Sequence, residues 1–207
     1  MPLNHTTTIF DVIRHGEPDG GQKYRGHRDD PLSELGWQQM HAAINADEHW
    51  DLIISSPLLR CREFAQQLAT RKNIPFSVVE EFKEIHFGEW EGLTRDEVAE
   101  KYGDHQQRFW RDAENHPPAG AETIQNFHQR IGEAWKHWRG NIAGKKVLLV
   151  CHGGVIRMLL SHVLSLSPSH AMAGFHVPYA CRSRIRIDHT PHGVLSCLVG
   201  HGDAITE

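Results

Sequence analysis

The chain has 207 residues, of which 39% are hydrophobic and 23% charged, and its formal net charge is −4. This length and composition predict one globular domain over residues 1–207 and exclude a disordered or fibrous chain. The negative charge argues against nucleic acid as a partner, so any anion site must be built locally from a few basic side chains.

Three short apolar runs predict strands of a single sheet. They cover residues 9–13 (IFDVI), 51–54 (DLII) and 147–151 (VLLVC). The last two show almost no alternation, which is typical of parallel strands covered on both faces. Because helical patterns separate the runs, we predict a three-layer α/β fold with a mainly parallel sheet flanked by helices.

The helices are predicted from apolar residues that recur at helical spacing. These patterns run from 37 to 44, from 58 to 68, from 124 to 138 and from 155 to 164. At the start of the second pattern, Ser56 is predicted as the N-cap and Pro57 as the first helical residue.

Residues 81–121 differ from the rest of the chain because they are polar and rich in charged and aromatic side chains. Thr94 and Glu97 have the spacing of a capping box, which predicts the start of a short helix. We expect this segment to be a helical insertion over the sheet edge, acting as a lid, with Trp90 or Trp110 as an apolar wall.

The C-terminal part predicts two further strands, at about 182–188 and 193–199. Arg182, Arg184 and Arg186 share one face of the first strand. We interpret this row as a solvated face or as an edge protected against aggregation, with an anion site as the alternative.

Each of the three apolar runs leads directly into a polar motif. The motifs are Arg14-His15-Gly16-Glu17, Ser55-Ser56-Pro57-Leu58-Leu59-Arg60 and His152-Gly153-Gly154. In an open parallel sheet, ligands bind at the carboxyl ends of the strands. If these strands are neighbours, the sequence places His15, Arg60 and His152 together at one edge.

The chemistry of this set suits a phosphoryl group. Gly16, Gly153 and Gly154 would let backbone approach a ligand closely, and the helix that opens near Gly153 would present free N–H groups to an anion. The guanidinium groups of Arg14 and Arg60 match phosphoryl oxygens and would stabilise the charge on a transferring phosphoryl group.

A neutral histidine ring can attack phosphorus, so His15 is the candidate nucleophile. The leaving oxygen of a phosphate ester needs a proton, and Glu84 is a candidate general acid. Spacing alone does not separate Glu84 from Glu89 or Glu91, and each of the three also fits an ordinary surface position.

The sequence indicates no metal or other cofactor. Its 17 histidines include no HExxH or HxH pair, and its four cysteines are widely spaced with no CxxC pair. The N-terminus lacks an apolar signal core, and no apolar run approaches the roughly 20 residues of a membrane helix. We therefore expect a cytoplasmic protein with no membrane partner, and a homodimer is left open.

Taken together, the motifs resemble those of the histidine phosphatase superfamily, the phosphoglycerate-mutase-like group. Glu84 with the following Phe87-Gly88-Glu89-Trp90-Glu91-Gly92 adds to this resemblance, and the motifs occur in the family's order over about residues 9–165. The resemblance implies a three-layer α/β fold and a phosphohistidine intermediate on His15, with Glu84 as proton donor and acceptor. It also places Arg14, Arg60 and His152 around the phosphoryl group.

Within the family, the segment 84–92 and Gly120-Ala121-Glu122-Thr123 are most similar to the alpha-ribazole phosphatase branch of cobalamin assembly. The chain departs from the family in residues 18–26, which contain two consecutive glycines and no asparagine, and where Arg25 precedes Gly26. We interpret Gly20, Gly21 and Gly26 as an open, flexible entrance loop that admits water.

Three hypotheses for the function follow from these residues. The first is a hydrolase of a small-molecule phosphomonoester, with alpha-ribazole 5'-phosphate as the named substrate and a broad-specificity phosphatase as its variant. The second is a phosphoglycerate mutase that uses the same histidine. The third, a non-catalytic phosphate-binding module, is disfavoured because such a module would not need the acid.

Overall fold

A six-stranded sheet forms the centre of the protein, in a computed structural model that describes residues 6–202. The strands are β1 (Thr6–Arg14), β2 (Leu52–Ser55), β3 (Phe76–Val78), β4 (Lys146–Cys151), β5 (Arg182–Thr190) and β6 (Gly193–Gly202). Their order in the sheet is β3-β2-β4-β1-β5-β6. The first four in this order are parallel, whereas β5 and β6 pair antiparallel. The predicted mainly parallel sheet is thus confirmed.

Helices cover both faces of the sheet. They are α1 (Glu34–Ala42), α2 (Leu59–Lys72), α3 (Arg95–Tyr102), α4 (His105–Arg111), α5 (Ile124–Asn141), α6 (Gly153–Leu164) and α7 (Pro168–Gly174). On one face, α1 and α2 pack on alternate residues of β4, such as Leu148 and Val150. On the other, α5 and α6 pack on Val147 and Leu149. Because both faces of β4 are buried, its sequence is a continuous apolar run, and the three predicted layers are confirmed.

The helix predicted from residue 58 starts differently from the expectation. It begins at Leu59 with Leu58 as N-cap, so neither Ser56 nor Pro57 has the predicted helical role. The Ser56 hydroxyl still accepts a bond from the Leu58 N–H at 3.3 Å, but its shorter contact, at 2.7 Å, is to Nε2 of His152. A serine that follows a strand can cap a helix or bind a neighbouring strand's side chain, and here the second contact is the closer one.

The segment 81–121 lies at the carboxyl edge of the parallel strands. It consists of 3₁₀ turns at Glu80–Phe82 and Gly88–Trp90 followed by α3 and α4. Thr94 and Glu97 form the predicted capping box at the start of α3. The side chains of Trp90 and Phe109 pack edge to face, with ring centroids 5.5 Å apart, and both are fully buried. These aromatic side chains belong to the hydrophobic core that also packs on β1 and β4.

The arginine row of β5 is not a solvated face or a protected edge. Strand β5 lies between β1 and β6, and Arg184 stands opposite Asp11 of β1. The Nε of Arg184 donates to Asp11 at 2.7 Å, and Arg182 pairs with Glu48 at 2.7 Å. Only Arg186, whose side chain is half exposed, fits the expected solvated role.

None of the helices between residues 6 and 202 has the length and hydropathy of a membrane span.

Candidate active site

The three motif-bearing strand ends meet at one edge, as the sequence predicted. Arg14 is opposite Cys151, and Ser55 is opposite Val150, so β1, β4 and β2 end side by side. The backbone continues the ladder for one residue, because the His15 N–H donates to the Cys151 carbonyl at 2.9 Å. His15 and His152 are brought together, with ring centroids 5.2 Å apart.

The His15 ring is held in one orientation and one tautomer. Its Nδ1 lies 2.7 Å from the Gly16 carbonyl, which can only accept, so Nδ1 carries the proton and Nε2 keeps a lone pair. The side chain is 5% exposed. Burial first, and then the charges of Arg60 and Arg14, hold the pKa of His15 well below its usual value. The ring is therefore neutral at pH 7, as a nucleophile must be.

Two arginines of the site have N–H groups to spare. Arg14 donates from Nη1 to the Val177 carbonyl at 2.6 Å, and its guanidinium lies 4.2 Å from the centre of the Tyr179 ring. Arg60 is fully buried and donates to the carbonyls of Arg28 and Gly26, at 2.8 Å each. The Nε atoms of both Arg14 and Arg60 are buried with no acceptor within residues 6–202. Such cations favour an anion nearby.

His152 is fully buried at the end of β4, where its Nε2 contacts the Ser56 hydroxyl at 2.7 Å. Burial, Arg60 and His15 together hold its pKa well below the usual value for histidine. Ser56 thus fixes the ring of His152 beside His15.

Within residues 6–202, Glu84 is the only carboxylate in the wall of the cavity at these strand ends. Its two oxygens accept from the N–H groups of Gly154 and Ile85, each at 3.0 Å, which anchors the carboxyl group at the start of α6. The two competing carboxylates are engaged elsewhere. Glu89 accepts from the Tyr102 hydroxyl, and Glu91 accepts from the backbone of residues 27, 28 and 87. Glu84 therefore differs from Glu89 and Glu91, because only its carboxyl group lies in the cavity wall.

The glycines of the motifs serve close packing. A Cβ on Gly16 would lie 2.2 Å from the Gly36 carbonyl oxygen, and a Cβ on Gly154 would lie 2.2 Å from Glu84 Oε1. Only glycine at position 154 leaves room for the Glu84 carboxylate. Gly153 borders the cavity, where a Cβ would approach Arg157 Nη1 at 3.0 Å. A phosphate contact by Gly16 or Gly153 stays a prediction.

A cavity of about 360 Å³ opens above the strand ends. His15, Arg14 and Glu84 lie in its wall, together with residues of the insertion and of the 172–179 segment. Trp110 lines the cavity, whereas Trp90 is fully buried in the hydrophobic core. The predicted apolar wall is therefore Trp110.

The entrance loop 18–26 is tied down more tightly than its glycines suggested. Arg25 is buried, pairs with Asp30 at 2.7 Å and donates to the Gly21 carbonyl at 2.5 Å. A Cβ on Gly26 would lie 2.3 Å from the Ile85 carbonyl oxygen, so Gly26 is a packing position. Only Gly20 and Gly21, with φ of 78° and 75°, adopt turn conformations that favour glycine.

Backbone hydrogen bonds join this loop to the insertion. The Tyr24 N–H donates to the Leu93 carbonyl, and the Gly92 N–H donates to the Tyr24 carbonyl, both at 2.8 Å. The Glu91 carboxylate adds bonds of 2.8 Å from the N–H groups of His27 and Arg28. The two segments form one continuous wall of the cavity.

Sequence reasoning missed two residues of the site. Tyr179 stacks under Arg14, and Arg157 lines the cavity near the start of α6. The sequence could have indicated Arg157, because it is the only Asp, Glu, Lys or Arg residue in the otherwise mostly apolar helix α6. Tyr179 lies in a loop with no local pattern, so nothing in the sequence distinguished it.

Within residues 6–202, histidine, cysteine and carboxylate side chains form no group of three or more that would hold a metal ion. The groups that do converge are a neutral imidazole, guanidinium cations and a carboxyl group. This set can attack a phosphoryl group, stabilise its charge and protonate a leaving oxygen.

Comparison with known proteins identifies the family. The sequence profile described as Histidine phosphatase superfamily (branch 1) matches residues 10–198. An adenosylcobalamin/alpha-ribazole phosphatase of Escherichia coli strain K12 is 26% identical over 182 residues, which are 86% of this chain and 89% of the relative. A glucosyl-3-phosphoglycerate phosphatase of Mycolicibacterium vanbaalenii is 30% identical over 167 residues, 75% of this chain and 73% of the relative.

Among solved structures, a mycobacterial glucosyl-3-phosphoglycerate phosphatase has the same fold. Its TM-score is 0.82 at 24% identity, and the match covers 97% of this chain and 100% of that chain. The profile match spans most of the 207 residues. The chain therefore belongs to the histidine phosphatase superfamily and is a phosphoric monoester hydrolase.

Proposed function

We propose that this phosphatase hydrolyses a small-molecule phosphomonoester in two steps through a phosphohistidine on His15. The observation that carries the proposal is the bond from His15 Nδ1 to the Gly16 carbonyl, which leaves Nε2 unprotonated in the wall of the same cavity as Glu84. A nucleophile and an acid in one cavity are what ester cleavage requires.

In the first step, His15 Nε2 forms a bond to phosphorus while the bond from phosphorus to the ester oxygen breaks. The Glu84 carboxyl group gives its proton to that oxygen, so the alcohol leaves neutral. Arg14, Arg60 and His152 stabilise the charge on the phosphoryl oxygens.

In the second step, the Glu84 carboxylate takes a proton from water while the water oxygen bonds to phosphorus. The bond from phosphorus to Nε2 breaks, and inorganic phosphate leaves. One water is consumed, and Glu84 and His15 return to their starting states.

For the individual substrate, we propose alpha-ribazole 5'-phosphate as the first to test, with a role in cytoplasmic cobalamin biosynthesis. Support comes from the similarity of residues 84–92 and 120–123 to that branch and from the name of the E. coli relative, which is 26% identical. The positive charge of the cavity wall favours a competing substrate class, phosphorylated acids. Assembly as a homodimer and the absence of a nucleic-acid partner stay predictions.

Trapping of the intermediate tests the mechanism. Wild-type protein mixed with a ³²P-labelled phosphomonoester and quenched in base should carry label that is stable to base and labile to acid. His15→Ala should carry none and should lose nearly all turnover while its circular dichroism spectrum is retained. His41→Ala, at an exposed position of α1, is the matched control and should behave as wild type.

Label or normal turnover in His15→Ala would reject the proposed nucleophile. The mutase hypothesis has its own assay, in which 3-phosphoglycerate is supplied with a bisphosphoglycerate primer. Efficient interconversion of phosphoglycerates with little free phosphate would overturn hydrolysis as the function.

A further inference from the structure

The wall of the cavity is strongly cationic although the whole chain has a net charge of −4. Five of its lining residues carry a fixed positive charge and one, Glu84, is acidic. The cations are Arg14, Lys23, Arg25, Arg95 and Arg157. A phosphoryl dianion at His15 would not balance this excess, so the wall is electrostatically complementary to a ligand with more negative charge.

Not all of these cations belong to the phosphoryl site. Arg14 ends β1 beside His15, and Arg25 is paired with Asp30, which also pairs with Arg28. Lys23, Arg95 and Arg157 remain. None of these three forms an ion pair with a carboxylate in the part of the chain that the structure describes.

Arg157 is the best placed of the three. Its Nε donates to the Phe175 carbonyl at 3.2 Å, and its guanidinium lies 5.9 Å from the centre of the Trp110 ring. Its Nη1 and Arg14 Nε flank Gly153, at 3.0 and 3.5 Å from the position of a Cβ there. Arg157 is therefore adjacent to the phosphoryl site and extends it outward along the wall.

The surroundings of Arg157 compensate its charge only in part. Burial lowers the pKa of Arg157, and Glu84 is the carboxylate that opposes this shift. Glu84 accepts backbone N–H bonds at the start of α6 and forms no ion pair with Arg157. A bound anion would offset the cost of holding this partly buried cation without a direct counter-ion.

Lys23 and Arg95 enter the cavity wall from other segments, the entrance loop and the start of α3. Apolar surface lies among these charges, supplied by Phe87, Trp110 and Met172. The outer half of the cavity thus combines a few cations with a surface for a carbon skeleton, which is the usual composition of a specific small-molecule site.

We propose that Arg157, Arg95 and Lys23 form a second anion site, and that the alcohol part of the natural substrate carries a carboxylate or a second phosphoryl group. This inference rests on the proposed hydrolysis at His15 and specifies its substrate class. It favours a phosphorylated acid or a bisphosphate over alpha-ribazole 5'-phosphate, whose leaving alcohol is uncharged.

Matched substrate pairs test the site. 3-Phosphoglycerate and glycerol 3-phosphate differ in a carboxylate, and fructose 1,6-bisphosphate and fructose 6-phosphate differ in a second phosphate. We expect kcat/KM to be about tenfold higher for the charged member of at least one pair, an effect of about 1.4 kcal/mol. The pair that responds identifies the chemistry of the second anion.

Variants locate the effect. Arg95→Gln, on exposed α3, and Arg157→Gln should each raise KM for the charged member and remove most of its advantage. Both variants should lose more kcat/KM on the charged member than on the uncharged one. Arg157→Lys should retain part of the preference. Arg111→Gln, an exposed cation of α4 outside the cavity wall, is the control and should leave both members unchanged.

Equal or higher kcat/KM for the uncharged members, or for alpha-ribazole 5'-phosphate, would overturn the second anion site. So would an equal loss on both members of a pair in Arg95→Gln and Arg157→Gln. These outcomes are distinct from failure of the proposed function, because phosphohistidine trapped from any phosphomonoester shows that the chemistry at His15 is intact.

Discussion

Buried and partly buried arginines occur in two regions of this protein, and only one region pairs them with carboxylates. In the middle of the sheet, Arg184 pairs with Asp11 at 2.7 Å and Arg182 with Glu48 at 2.7 Å. At the strand ends, Arg14 and Arg60 donate to backbone carbonyls, and neither forms an ion pair with a carboxylate of residues 6–202. Their Nε atoms have no acceptor within the same residues, but neither has the Nε of Arg182, so the carboxylate pairing is what distinguishes the two regions.

The difference suggests that the paired arginines stabilise the fold and that the unpaired ones serve ligand binding. A buried cation with a carboxylate partner is satisfied by the fold itself, and removing either partner leaves an uncompensated charge. A buried cation that has only carbonyl partners keeps its positive charge available to a ligand, at a cost to stability. Arg14 and Arg60, the arginines beside the candidate nucleophile, are of the second kind within residues 6–202.

One substitution in each region tests this comparison, because we expect one to lower activity and the other to lower stability. Arg14→Gln should lower kcat by about 10³-fold, because a cation that stabilises the phosphoryl group is lost, with little change in the free energy of unfolding. Arg184→Gln should lower the free energy of unfolding by about 3 kcal/mol, since it leaves Asp11 buried without its closest partner, and should retain kcat in the folded fraction. Urea unfolding and steady-state kinetics on both variants measure this, and similar losses of stability in both would contradict it.

Glu84 bears on the same distinction, because its carboxylate opposes the lowering of the pKa of Arg14, Arg60 and Arg157. As a general acid it matters most for a poor leaving group. Glu84→Gln should therefore reduce kcat for an alkyl phosphate about 10²-fold more than for an aryl phosphate. Equal losses on the two esters, together with a large loss of stability, would mean that Glu84 is a structural counter-ion like Asp11. Glu89→Gln is the matched control and should retain activity.

The uncompensated charge also acts on the two buried histidines, whose pKa values are held well below 6.5. As pH falls below about 6.5, the unfolded chain takes up protons that the folded protein does not, so the free energy of unfolding must decrease. Each histidine contributes about 1.4 kcal/mol per pH unit between its unfolded and its folded pKa. Urea unfolding at pH 7.5, 6.5 and 5.5 should show a slope in His15→Asn that is smaller by one such contribution. An unchanged slope would contradict a depressed pKa for His15.

The smallest expected effect is that of a chelator. Since fixed guanidinium groups supply the positive charge at the phosphoryl site, activity should be the same with and without excess EDTA. Complete loss with EDTA and recovery with magnesium or zinc would show that the arginines alone are not sufficient.

The strand ends were predictable because buried parallel strands have a strong local signature and each is followed by a polar motif. Once β1, β2 and β4 are neighbours, the convergence of His15, Arg60 and His152 follows from topology. The resemblance of the motifs to a family then singled out Glu84 among three carboxylates, and the contacts of Glu89 and Glu91 agree.

The rest depends on register and long-range contacts that no local pattern encodes. Arg184 is buried because the antiparallel pairing sets it opposite Asp11, and a shift of one residue would turn it to the other face. Ser56 fits a helix cap equally well by sequence, and only the neighbouring strand decides that it contacts His152 instead. Arg157 shows as a lone charge in an apolar helix, but its role depends on Trp110 and Gly153.

The wall formed by the entrance loop and the insertion has a consequence for turnover. Tyr24 exchanges backbone bonds with residues 92 and 93, and Glu91 binds the N–H groups of His27 and Arg28. Neither segment can move away alone without breaking these bonds, so we expect any opening of the cavity to move both together. These hydrogen bonds make no contact with the reacting phosphorus. We therefore expect a weakened Glu91 anchor to affect release of the alcohol rather than the phosphoryl transfer itself.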